Sequence, residues 1–182
     1  MNIKIISIVV ISLSLLLFSC SQKQKTESVV SHQNLFKEFE GFLGKPLDSI
    51  KEISGYTRNV TTEEDEGVIW KGLEYSQKGE VAFLIESNWE HPEIANRITV
   101  CSKKIKFNDL YVGQKIGNIK HLISDNIPSS PDGFLFVSLK NNPKISLQID
   151  LSMLPEDNPL VFGCDNINEI PDTLQVESIV FK

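Results

Sequence analysis

The sequence has little of what usually announces chemistry. Its 182 residues include three cysteines, three histidines and two tryptophans. None of His32, His91 and His121 stands at a metal-ligand spacing such as H-E-x-x-H, and no C-x-x-C occurs. A G-x-S-x-G nucleophile elbow is missing, as is a glycine-rich loop to cradle phosphate. These absences predict a chain that is not an enzyme and needs no cofactor or metal. Positive charge is also short, with 18 Lys and Arg against 24 Asp and Glu. A formal charge of −6 argues against nucleic acid or an anionic lipid surface as the main partner, because both reward clustered cations. The last absence is a long apolar run. Ile5 to Phe18 is broken by serines and gives way to polar chain after Cys20, short of the roughly 20 residues a membrane span needs.

What is present near the start fits an export signal, with Lys4 as its positive flank and residues 5–18 as its apolar stretch. Leu17-Phe18-Ser19-Cys20 resembles the lipobox of bacterial lipoproteins, although Phe18 is bulkier than the residue usual there. The resemblance implies diacylglyceryl transfer to the Cys20 sulfur, cleavage after Ser19, and a mature chain that starts at the lipidated cysteine. An ordinary secretory signal, or an uncleaved anchor that happens to hold a cysteine, is the alternative. Acyl chains contribute about 0.8 kcal/mol per buried methylene, so two or three of them hold a protein on a bilayer. Ser21 directly after Cys20, with no acidic residue there, favours the outer membrane facing the periplasm. Loss of residues 1–19 removes one cation and no anion, which takes the formal charge to −7.

With Cys20 committed to lipid, Cys101 and Cys164 remain, and an oxidising compartment favours pairing them. Closing that loop of roughly 60 residues is worth about 4 kcal/mol in the chain-entropy model. Two free thiols are the other reading.

Residues 20–31 are polar and without periodicity, a flexible tether ahead of one globular domain at 32–182. Leu35, Phe36, Phe39, Phe42 and Leu43 recur at helical spacing and predict a helix from about Ser31 to Leu43, capped by Ser31. Beyond it the chain echoes itself. "LGKPLDSIKEI" from Leu43 lines up with "VGQKIGNIKHL" from Val112, matching Gly44 with Gly113, Leu47 with Ile116 and Ile50 with Ile119. "GVIWKGLEYSQKGEVAFLIES" from Gly67 resembles "GFLFVSLKNNPKISLQIDLS" from Gly133, and each reads as a hairpin. A third strand closes each copy, near Arg97 to Ser102 and at "QVESIVFK". The proline-marked stretch between them, from Ser152 to Gln175, is expected to be a loop with one short strand around Leu160 to Cys164.

The expected fold is therefore α+β: two helix-then-three-strand repeats, about 32–105 and 106–182, forming one antiparallel sheet with helices on one face. In that organisation the chain resembles the two-repeat β-lactamase-inhibitor proteins and the small outer-membrane-assembly lipoproteins built on a single such unit. A compact duplicated αβ unit, an acidic balance, no catalytic constellation and a tether near the membrane together point to a non-enzymatic, membrane-anchored protein-binding module, working as inhibitor, immunity factor or adaptor. The resemblance to the assembly lipoproteins implies instead a structural component of an envelope assembly machine.

Three surface features are candidates for contact. "SNWEHPEI", Ser87 to Ile94, sets Trp89 and His91 in a loop between strands, where a tryptophan supplies interface area at small entropic cost. Trp89 folded back over the sheet is the competing reading. His91 with Glu93 makes at most a weak acid-base or metal pair, and an exposed loop histidine is the better reading. "TTEEDEG", Thr61 to Gly67, is dense in acid but lacks the alternating ligand positions of a calcium loop, so a solvated loop is expected. Trp70 and Tyr75 fall in a strand pattern and are expected to pack. Aromatics on the outer face of the sheet, if that face is concave, form a further candidate surface.

Overall fold

The computed structural model describes residues 32–65, 67–125 and 134–182. The export signal, Cys20, the tether and Ser31 lie outside the described residues. Helix α1, His32–Phe42, follows the predicted apolar spacing and buries Leu35 and Phe39. Nine strands follow among the described residues: β1 Thr57–Asp65, β2 Val68–Gln77, β3 Glu80–Glu86, β4 Arg97–Val100, β5 Lys106–Phe107, β6 Leu110–Tyr111, β7 Leu135–Ser138, β8 Ile145–Asp150 and β9 Gln175–Phe181. Between β6 and β7 a single helical turn forms α2, Ile116–Ile119. The fold is α+β and dominated by one seven-stranded antiparallel sheet in the order β1-β2-β3-β4-β9-β8-β7, with β5 and β6 paired separately.

The sheet closes at its centre, where β4 and β9 run antiparallel with Ile98 opposite Phe181 and Val100 opposite Ile179. Phe83, Ile85, Ile98, Val100, Leu147, Ile179 and Phe181 all point to one side and are buried. Alternation of side chains along a strand puts them on the same face. On that face α1 lays Phe39 against Phe83 at 4.9 Å and Phe181 at 5.5 Å between ring centroids. Phe107 of β5 joins them, 5.4 Å from Phe181. Tyr75 stacks on Phe83 at 4.7 Å, and its hydroxyl donates to the Lys51 carbonyl at 2.9 Å. A buried tyrosine needs such an acceptor for its hydroxyl.

The β2–β3 turn is read directly from the sequence. Lys78 and Gly79 both have positive φ, 56° and 82°, the two-residue connection whose twist suits a hairpin.

The two halves do not repeat as helix then three strands. The first half carries α1 and then four strands, because β1 pairs along the whole of β2. The second begins with the β5–β6 pair in place of a long helix, then the single turn of α2, then three strands. What recurs is shorter, a clasp built on the glycine echo. Gly44 N–H donates to Ala95 O at 2.8 Å, Leu47 N–H to Glu93 O at 2.9 Å, and Ala95 N–H to Lys45 O at 2.8 Å. Gly113 N–H donates to Val176 O at 2.7 Å, Ile116 N–H to Leu174 O at 2.8 Å, and Val176 N–H to Gln114 O at 2.9 Å. Both glycines adopt left-handed φ, 78° and 87°, which turns the chain so that a buried apolar residue, Leu47 or Ile116, follows three positions later. Each clasp grips the chain just before or at the start of a central strand, β4 or β9.

Two further expectations are corrected. Leu160 to Cys164 does not form a strand: Pro159–Phe162 is a 3-10 turn opened by Asn158, whose side chain accepts from Leu160 N–H at 3.0 Å. The acidic run is not a loop before a strand. Glu63, Glu64 and Asp65 close β1 itself, opposite Trp70, Ile69 and Val68.

Candidate functional site

The helical layer covers one face of the sheet; the opposite face holds the residues that alternate with the core. Register brings Leu84 of β3 opposite Thr99 of β4, Thr99 opposite Val180 of β9, and Val180 opposite Ser146 of β8. The neighbouring row sets Gln148 of β8 beside Ser178 of β9 and Phe136 of β7. Of these, Leu84, Thr99, Phe136, Gln148 and Val180, together with Glu86, Arg97 and Lys182, line an open concavity of about 260 Å³ across the middle of the sheet. Its floor mixes apolar and neutral polar groups.

The charges in the concavity are mostly spoken for. Glu86 and Arg97 face each other across β3 and β4, and the guanidinium donates through Nε at 3.0 Å and Nη2 at 2.8 Å to the two carboxylate oxygens. Thr99 Oγ1 adds a donor to Glu86 at 3.2 Å. The Glu86 bond holds Arg97 even more firmly protonated than a free arginine. A fork-to-fork pair of this kind fixes both side chains in one geometry. Lys182 Nζ sits 5.6 Å from the centre of the Phe136 ring, a cation over an aromatic face. Glu177 differs. Gln148 Nε2 donates to it at 2.8 Å, yet burial and then the nearby Asp150 charge push its carboxyl above the usual range.

Trp89 and His91 lie elsewhere, beyond the end of β3. Ser87 ties the start of their loop to β2, its N–H donating to Lys71 O at 3.0 Å and its hydroxyl accepting from Lys71 N–H at 3.1 Å. Asn88 Oδ1 accepts from the His91 backbone N–H at 2.8 Å, and Ile94 bridges to Pro46. The loop is thus pinned at several points, and Trp89 does not fold back: it is 67% exposed. His91 is exposed as well. Glu93 is engaged by Lys71 Nζ at 3.0 Å, which raises the lysine's pKa and leaves His91 without that carboxylate as a dedicated partner. Trp70 is half-buried on the outer face of β2, while Tyr75 belongs to the core.

Cys101 and Cys164 are not bonded to each other; both are free thiols. Their settings explain why. Cys101 leaves β4 beside the outer-face carboxylates Glu86 and Glu177, whereas Cys164 packs into the core cluster on the other side of the sheet. Burial, first among the causes, pushes both thiols above their usual range. Among the described residues no group of three or more His, Cys, Asp or Glu is arranged to hold a metal ion. No helix among them is long and apolar enough to cross a membrane.

The outer-face residues Leu84, Thr99, Phe136, Gln148 and Val180 were not singled out by sequence. One signal pointed to them: "AFLIE" and "SIVF" are apolar at successive positions, where a strand with one plain solvent face alternates.

No family model matches the chain, and no curated protein matches it. Among solved structures it is similar to the crystal structure of the uncharacterized protein yfeY from Escherichia coli, with a TM-score of 0.52 and 15% identity over 70% of this chain and 82% of that one. The likeness at that identity is one of fold.

Proposed function

We propose that this is a lipid-anchored envelope protein that works as a non-enzymatic binding module and receives a partner protein on the outer face of its sheet. The observation that carries the reading is the uncovered concavity over β3, β4, β9, β8 and β7. Leu84, Val180 and Phe136 offer apolar contact there, and the Glu86–Arg97 pair is already neutralised, so a partner need not desolvate two lone charges. The surface is also built on strands, which hold contact residues more rigidly than loops do. The exposed, pinned Trp89 supplies a second contact at the edge of the domain. In this reading Cys20 carries the lipid and residues 20–31 keep the domain within reach of the bilayer, on the periplasmic side of the outer membrane.

The test is affinity capture from solubilised envelopes, with any captured protein purified and its binding measured directly against wild type, Phe136→Glu and Trp89→Ala. A partner that binds wild type and loses at least tenfold affinity with Phe136→Glu, about 1.4 kcal/mol, supports the reading. Binding insensitive to Phe136→Glu, or no specific partner, counts against it.

A further inference from the structure

The sheet has an edge at β1 that no described strand covers. Thr57–Asp65 offers nine residues there, against four in β7 at the other edge. The β1–β2 hairpin also outruns the helical layer. Val60 and Ile69 share a face with the core residues Leu73 and Tyr75, yet they are 64% and 56% exposed. An unpaired edge of this length is a template for another strand, and side-chain order along it selects which strand fits.

On the helical side β1 presents Arg58, Val60, Thr62 and Glu64 in sequence, basic at one end and acidic at the other. Such an order is complementary to itself when run backwards. In an antiparallel pairing about a two-fold axis at Thr61, Arg58 of one copy faces Glu64 of the other and Val60 faces Thr62, and the axis makes every pair twice. A one-position slip to either side breaks this. Centring on Val60 leaves Arg58 against Thr62, and centring on Thr62 puts Val60 against Glu64. Parallel pairing would set like charges side by side, which is destabilising. The Arg58 side chain also hydrogen-bonds Tyr75, but its Nε is buried with no hydrogen-bond partner among the described residues, and a buried donor left unmade costs free energy that an acceptor recovers.

We infer that two copies of this chain associate through their β1 edges, antiparallel about Thr61, so that two seven-stranded sheets become one continuous sheet. The interface lies at the edge strand and leaves the concave outer face of each copy open, so it is separate from the partner surface proposed above.

Sedimentation velocity on the full chain in detergent, up to about 100 µM, tests it. The expected result is a concentration-dependent dimer that Arg58→Glu or Glu64→Arg each weakens about tenfold or more, and that the double variant Arg58→Glu/Glu64→Arg restores to within about threefold of wild type. Restoration requires the two positions to meet across the axis; a general effect on folding would not produce it. Thermal melts of each variant check the fold. Where Arg58→Glu fails to fold, Arg58→Gln against Glu64→Gln gives the milder form, each weakening the dimer without repulsion. A chain that stays monomeric at every concentration leaves the edge to water or to a foreign strand and overturns the inference. So does a dimer indifferent to the single reversals, or one that the double variant does not rescue.

Discussion

If the two glycine clasps are equivalent, replacing either glycine by alanine should cost the same. Gly44 and Gly113 hold φ of 78° and 87°, a region in which an L-residue is disfavoured by about 1–2 kcal/mol. Alanine recovers part of this by restricting the unfolded chain, on the order of 0.4–1 kcal/mol. The net loss works out at roughly 1 kcal/mol for each site. Space alters the sum little. A Cβ at Gly44 meets nothing within 4 Å, and one at Gly113 meets the stem of Lys103 at 3.3 Å, which can shift. The two clasps share no hydrogen-bond partner, so the double variant should lose about 2 kcal/mol. Gly41 supplies the opposite sign. It sits in α1 with ordinary φ and open space, and Gly41→Ala should stabilise by about 0.5–1 kcal/mol. Urea unfolding with a common slope measures all four, and each kcal/mol should move the melting temperature by roughly 2–4 °C. If Gly44→Ala behaved like Gly41→Ala, the left-handed turn would not exist in solution. Losses at the two sites that differed by more than about 1.5 kcal/mol would refute their equivalence.

Two further outcomes follow from the titratable groups. Glu177 has its folded pKa raised by burial and by Asp150, so it favours folding below the ordinary glutamate value and loses that contribution as pH rises through its folded value. Glu177→Gln should therefore raise the melting temperature at pH 7 and leave it nearly unchanged at pH 4; a gain equal at both would show that charge is not the cause. Cys101 and Cys164 should alkylate without added reductant, slowly in the native state and fast in denaturant, because burial holds both thiols up. Mass spectrometry that finds either one blocked until reductant is added would show a bond.

Much of the sheet was legible in the sequence. β2 with β3 and β7 with β8 were marked by apolar runs around turn residues, and β4 and β9 by short β-branched stretches. β1 escaped because Val60 is the one apolar residue in it, so no apolar alternation betrays the strand: "TRNVTTEED" reads as loop chemistry. The 3-10 turn at Pro159–Phe162 looked like a strand because four apolar-leaning residues in a row carry no periodicity. The glycine echo was visible, but its meaning was not, since Gly44 and Gly113 act through carbonyls some fifty and sixty residues away at Ala95 and Val176. The candidate face was hardest of all. Thr99 and Val180 become neighbours only through the β4–β9 register, which no local pattern encodes.

That register also governs how the chain can be made. The strand that joins the halves, β9, comes some eighty residues after the β4 it pairs with, and β8 likewise awaits it. Until residue 181 has been synthesised, β1–β4 and β7–β8 are separate sheets, each with an open apolar edge where the seam will form. Contacts this distant in sequence are slow to form. A nascent chain of this design therefore cannot complete its sheet until its last strand has been made. A chain cut short within β9 would carry most of its core side chains and yet have no means of bringing its two sheets together.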